Sequence, residues 1–169
     1  MPENTALENL VIQTTRFGQI SVPQANILCM PQGMIGFPER RRFALLRHRD
    51  KSPFQWLQCV DQPDLAFVVV TPLVFDPKYE FKLGQAETNL LEVADPSQIQ
   101  VWVVVNIPHG HPEKMTGNLK APVVINLANN LAAQVILDDQ RYGLRHTLAP
   151  PPAKSEAPPA AGKNKTQGA

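Results

Sequence analysis

Cysteine is scarce in this chain. Only Cys29 and Cys59 occur in 169 residues, too few for a disulfide framework, and neither belongs to a Cys-x-x-Cys zinc half-site. No run approaches the roughly 18 apolar residues needed to span a bilayer. The opening MPENTALENL lacks the charged start and apolar stretch of a secretory signal. Neither sign of charge dominates: 16 Lys and Arg stand against 15 Asp and Glu, whereas a generic polyanion binder carries a clear basic excess. Gly-x-Ser-x-Gly, Walker-type and Gly-x-Gly-x-x-Gly patterns are also missing. These absences predict a soluble cytoplasmic protein with free thiols and no membrane attachment. They also predict no catalytic residue, no metal and no cofactor.

Proline, by contrast, is plentiful, and five of the 17 fall in the last 21 residues. That stretch, APPPAKSEAPPAAGKNKTQGA, holds no large apolar side chain and is expected to be a disordered tail over 149–169. It carries a charge of +2, which leaves about −1 on a single domain spanning 1–148. Within that domain, short runs rich in Val, Ile, Phe and Trp alternate with turn residues. VIQTTRFGQISV (11–22) reads as two strand pieces broken near Gly18. FALL (43–46), FQWLQCV (54–60), LAFVVV (65–70), VWVVVNI (101–107), PVVINL (122–127) and LAAQVIL (131–137) follow. Prolines mark strand ends.

One stretch, Gln85 to Val93, predicts a helix, stopped by Asp95-Pro96. Without helices between the strands a parallel βαβ sheet is excluded. The expected fold is mainly β: a compact antiparallel, barrel-like single domain with one short helix. LAFVVV is apolar on both faces and needs cover on both sides. Tyr79–Leu83 alternates strictly and predicts a surface strand with one wet face.

Candidate chemistry is thin. His109-Gly110-His111 has an unusual ligand spacing and reads as an exposed loop. Cys59 reads as a buried thiol, and Asp138-Asp139 as a turn. Arg40, Arg41, Arg42, Arg47, Arg49 and Lys51 form a basic cluster that could edge a small RNA-binding barrel, but aromatics are not interleaved with it as an RNA-reading sheet requires. More telling are Gln58, Asn106, Asn126 and Gln134, each interrupting an apolar strand. Buried amides need partners. Either these bind one another and loop backbones, or they face a groove that a polypeptide completes.

Several ordered segments resemble one family. They are Met30-Pro31-Gln32-Gly33-Met34-Ile35-Gly36-Phe37, then Trp56–Asp61, Leu65–Val69, Met115–Asn126, Ala133-Gln134 and Tyr142–His146. In order and spacing they are similar to FliW, the flagellar assembly factor, over about residues 10–148. The resemblance implies a β barrel without catalytic activity, acting in the cytoplasm. It implies binding to the C-terminal region of flagellin. It further implies that the free protein binds and antagonises CsrA, the dimeric RNA-binding repressor of flagellin translation, away from its RNA surface. Flagellin synthesis is thereby coupled to export. No direct nucleic-acid contact is expected, and nothing in the pattern signals assembly, so a monomer is expected. The alternative is a small-barrel RNA-binding protein acting through the basic 40–51 segment.

On this reading the partner-binding candidates are Met34, Ile35, Phe37, Asn118, Lys120, Asn126 and Gln134. Gly33 and Gly36 free the backbone for a loop that carries Met34, Ile35 and Phe37 toward a surface. Ile35 and Phe37 can equally plug one barrel end. Asn118-Leu119-Lys120-Ala121-Pro122 leads into a strand whose first residue lacks an N–H. Two departures stand out. The family's aromatic before the first proline is Met30 here, and the near-neutral core argues against capture of a basic partner by net charge.

Overall fold

A computed structural model describes residues 8–47 and 52–148. The predicted 149–169 tail, Arg49 and Lys51 lie outside these residues. The chain begins with a hairpin, β1 (Asn9–Thr14) and β2 (Gly18–Pro23). Gly18 takes the left-handed turn position at φ 70°. Thr14 Oγ1 closes the turn by donating to the Gly18 carbonyl and accepting the Phe17 N–H, both at 2.8 Å.

Seven further strands close a barrel. They are β3 (Ile27–Cys29), β4 (Arg42–Arg47), β5 (Phe54–Cys59), β6 (Ala66–Val70), β7 (Ile99–Asn106), β9 (Val123–Asn126) and β10 (Leu131–Gln134). Neighbours run β7-β6-β5-β4-β3-β10-β9 and return to β7. All pairings are antiparallel except β3 with β10, joined in parallel at Leu131 and Cys29. Two short strands, β8 (Thr116–Gly117) and β11 (His146–Thr147), extend the sheet beside the end of β7.

The period-2 pattern explains the layers. Leu28, Phe43, Leu57, Phe67, Trp102, Val123 and Ala132, one from each of the seven strands, share one buried cluster. Only the inside of a closed ring is common to all seven. The opposite face of β6 (Ala66, Val68, Val70) joins a second cluster with Trp56, Val105, Leu119 and Tyr142. LAFVVV is thus covered on both sides, by the barrel interior and by an outer layer. The hairpin covers β4 elsewhere, packing Ile12 and Val22 on Ala44.

Two expectations change. Residues 79–83 form no strand. Their burial alternates, but phenols hold them instead of a ladder: Tyr79 donates to the Leu119 carbonyl at 2.7 Å, and the Tyr142 hydroxyl accepts the Glu80 N–H at 3.1 Å. The helix, α1, is Gln85–Leu90. It ends sooner than predicted because Glu92 turns left-handed at φ 53° and Val93 N–H folds back to the Thr88 carbonyl. Among the described residues, no helix is long and apolar enough to cross a membrane.

Candidate functional site

The loop between β3 and β4 is a pair of tight turns. Gly33 N–H bonds the Met30 carbonyl at 2.8 Å, and Phe37 N–H bonds the Met34 carbonyl at 2.7 Å. Gly33 and Gly36 sit at φ 67° and 93°. At Gly33 a Cβ would stand 2.4 Å from the Phe37 carbonyl oxygen and 2.7 Å from Pro38 Cα, so only glycine fits. The loop divides its apolar residues. Met34 is 2% exposed and packs with the barrel interior. Phe37 is half-buried, edge-on to Phe67 at 5.8 Å. Ile35 is 52% exposed at the tip.

Gln134 fixes that tip. Its Oε1 accepts the Ile35 N–H at 2.9 Å, and its Nε2 donates to the Ala121 carbonyl at 3.0 Å. Asn118 Oδ1 accepts the Ala121 N–H at 3.0 Å. Both peptide groups of Ala121 are therefore gripped by side-chain amides. Between them lies a groove of about 390 Å³, lined by Met34, Ile35, Asn118 and Gln134 together with Asn106, Thr116, Leu144 and Arg145 over Phe67 and Val104. Its rim is apolar at Ile35 and at Leu144, which is 62% exposed. Among the described residues that line it none is acidic, and Arg145 is the charged one.

Four of the seven candidate residues thus converge. The other three stand apart. Phe37 lies behind the groove against Phe67. Lys120 Nζ donates to the Leu137 carbonyl at 3.0 Å. Asn126 is 2% exposed, with Nδ2 on the Leu91 carbonyl at 2.9 Å and Oδ1 accepting the Ala128 N–H at 3.0 Å, so it pins the end of α1 to β9. Gln58 is likewise buried, and its Nε2 donates to carbonyls of the 59–65 turn, that of Cys59 at 3.1 Å among them. Asn106, Leu144 and Arg145 were not among the candidates. The signal for Asn106 was present, as a polar break in an apolar strand. Leu144 and Arg145 come from a segment without periodicity.

Several charged groups are engaged locally. Arg42 forks onto Asp61 at 2.6 and 3.2 Å, and this bonding holds the Asp61 carboxyl below its usual range. Arg40 donates to Gln62 at 2.8 Å. Arg141 grips Asp139 and lowers its pKa to about 2. Burial pushes the Cys59 thiol up. His111 Nδ1 lies 3.2 Å from Glu113 in an exposed loop. No group of three or more His, Cys, Asp or Glu with metal-holding geometry exists among the described residues.

A family profile described as FliW protein matches residues 11–148. The chain is 39% identical over 140 residues to the flagellar assembly factor FliW of Ruminiclostridium cellulolyticum, covering 82% of this chain and 94% of that one. To the same factor of Syntrophus aciditrophicus it is 39% identical over 137 residues, 81% of this chain and 86% of the relative. A crystal structure of the flagellar assembly factor FliW superposes with a TM-score of 0.77 at 32% identity, over 85% of this chain and the whole of that one. The closed barrel, the loop at its end and these matches lead to one assignment: the chain belongs to the FliW family of flagellar assembly factors.

Proposed function

We propose that this protein is a non-enzymatic, monomeric switch in flagellar assembly, acting in the cytoplasm. It binds the C-terminal region of flagellin and, when free of flagellin, binds and antagonises the CsrA translational repressor. The observation that carries this reading is the groove at the barrel end. Exposed Ile35 and Leu144 supply apolar anchors, surrounding amides supply directional partners, and the buried Phe67 lies beneath. A groove of that kind suits the apolar stripe of an amphipathic helix. Arg145 and the absence of acid in the lining favour a segment carrying a carboxylate.

Of the four described arginines in the segment that the RNA-binding alternative needs, Arg41 and Arg47 are exposed, but Arg40 and Arg42 are engaged. Arg42 and Arg40 are committed to Asp61 and Gln62, so they lie braced along the barrel wall. The test is a competition titration. Flagellin and CsrA are each recovered by the protein at micromolar concentration in moderate salt, and added flagellin releases CsrA. Direct RNA binding that weakens steeply with salt, with neither protein recovered, would overturn the proposal.

A further inference from the structure

One wall of the loop-end groove is built by three neighbouring strands. β7 pairs with β8 through Val105 to Gly117 and Asn106 to Thr116, and β8 pairs with β11 through Gly117 to His146 and Thr116 to Thr147. Continuing both registers by one step sets Asn118 between Val104 on one side and Arg145 on the other. The Asn118 N–H bonds the Val104 carbonyl at 2.9 Å, as the first of these requires. Cross-strand partners share a face, and period-2 alternation keeps it. Val104, Asn106, Thr116, Asn118 and Arg145 therefore form one surface, and all of them line the groove.

The polar groups of that surface are set to donate. Both amide oxygens that frame the groove are occupied: Asn118 Oδ1 accepts the Ala121 N–H, and Gln134 Oε1 accepts the Ile35 N–H. With its oxygen so placed, Asn118 leaves both Nδ2 hydrogens for a ligand. Arg40, Arg42 and Arg141 are each bound to a neighbouring side chain. Arg145 is different: it is exposed, and among the described residues no hydrogen bond, ion pair or ring contact engages it. None of the described residues lining the groove is acidic. A guanidinium beside amide N–H groups matches a carboxylate, whose oxygens only accept. Phe67 and Val104 beneath, with Ile35 and Leu144 at the rim, suit a carboxylate that arrives on an apolar carrier. A helix about 10–12 Å across does not sink into a groove of about 390 Å³, so its side chains enter and its backbone stays above.

We infer that Arg145 and Asn118 form the selectivity site of the groove and bind the side-chain carboxylate of one aspartate or glutamate on the docked helix, an assignment that rests on reading the groove as the flagellin site. Arg145 meets both oxygens in the paired geometry that guanidinium and carboxylate share, and Asn118 Nδ2 adds a donor from the neighbouring segment. The acid stands three or four positions from the apolar residues that seat on Ile35 and Leu144, because those positions share its helix face. A basic residue in its place sets like charges together and leaves the amide donors unpaired, so the wrong partner is actively rejected. Recognition depends on one charge inside an apolar contact. That suits a chain with 16 basic and 15 acidic residues, which has little net field to offer.

The test is calorimetry with the full chain and purified flagellin. Arg145→Glu is expected to weaken flagellin binding by about tenfold or more at an unchanged melting temperature. Asn118→Asp retains an oxygen for the Ala121 N–H but loses the Nδ2 donors, and is expected to weaken binding similarly. Each Asp and Glu in the C-terminal region of flagellin is then changed to arginine. One such variant is expected to lose affinity for the parent chain and to bind Arg145→Glu at least about tenfold better than unaltered flagellin does. A purely structural role for Arg145 cannot produce that reversal. If Ile35→Ala weakens flagellin binding, yet Arg145→Glu does not or no arginine variant restores what it loses, the inference is overturned and the groove reading stands. If extending flagellin past its last residue abolishes binding while every internal acid is dispensable, the ligand is the terminal carboxylate and the side-chain assignment is overturned. Failure of the parent chain to bind flagellin, or binding indifferent to Ile35→Ala and Leu144→Ala, overturns the groove reading and this inference with it.

Discussion

Replacing Gly33 by alanine separates two costs that the loop imposes. The first is conformational: φ is 67°, and an L-residue held in the left-handed region loses roughly 1–2 kcal/mol. The second is steric. The new Cβ would stand 2.4 Å from the Phe37 carbonyl oxygen and 2.7 Å from Pro38 Cα and O, all backbone atoms. The turn must open, which forfeits the Phe37 N–H bond to Met34 and draws Phe37 away from Phe67. One hydrogen bond at about 1 kcal/mol and one aromatic pair at about 1 kcal/mol bring the total to roughly 3–4 kcal/mol. At about 3–4 °C per kcal/mol for a domain of this size, Gly33→Ala should melt roughly 9–16 °C lower. Gly36 is the control. Its φ is 93°, but no atom lies within 4 Å of its would-be Cβ, so Gly36→Ala should lose only the first cost, about 1–2 kcal/mol. Thermal unfolding followed by tryptophan fluorescence measures both. If Gly33→Ala melts no lower than Gly36→Ala, the close approach at Gly33 is not a feature of the folded protein.

The two buried-strand amides should part company. Asn126→Ala leaves the Glu92 carbonyl and the Ala128 N–H without their partner and the Leu91 carbonyl with Asn129 alone, and should lower stability by about 2–3 kcal/mol in urea titration with partner affinity intact. Gln134→Ala should cost only about 1–2 kcal/mol while weakening flagellin binding, because it releases the Ile35 tip; stability loss in both variants with affinities unchanged would rule out an interface at Gln134. Ile35→Ala and Leu144→Ala remove exposed anchors, and each should reduce flagellin affinity roughly 5–30-fold by calorimetry with little change in melting temperature. Phe37→Ala differs from both, since its ring packs on Phe67, and a stability loss of about 1–3 kcal/mol should accompany any loss of binding. For Asp139 the carboxyl should titrate near pH 2 by NMR. Its folded pKa lies below the unfolded value, so its contribution is present above pH 3.8 and fades as pH falls toward 2, and it should shrink in Arg141→Ala, which keeps only the backbone N–H bond of residue 141.

The strands were legible where composition and punctuation agreed. Runs rich in Val, Ile, Phe and Trp and bounded by proline became β5, β6, β7 and β9, and Gly18 marked the first hairpin. The double-sided LAFVVV correctly announced a layer on each face, because a strand without a polar side has no water-facing register. Tyr79–Leu83 misled because period-2 burial does not require a ladder; two phenol hydroxyls did the work of a neighbouring strand. β8 and β11, two residues each, are too short to carry any period. At the site, Gly33 and Gly36 announced an irregular loop, Gln134 read as an amide in need of partners, and Asn118 read only as part of the entry to a strand. That Gln134 reaches the Ile35 tip depends on the pairing of Cys29 with Leu131, distant in sequence, and Leu144 and Arg145 are carried to the same groove by the pairing of His146 with Gly117, neither of which a local pattern reveals.

The barrel is sealed by one thin seam. A single rung, Leu131 to Cys29, with the Cys29 N–H on the Asn130 carbonyl, joins the only parallel pair among the described residues. Its partners are separated by about a hundred residues of chain, so loop-closure entropy must be met before that rung forms. Ring closure is accordingly the late event in folding, and it cannot occur until the ribosome has released the second half of the domain. During synthesis the β3 edge stays unpaired, open to misassociation with other nascent chains. Once closed, the same seam is where slow breathing should begin, ahead of the antiparallel walls.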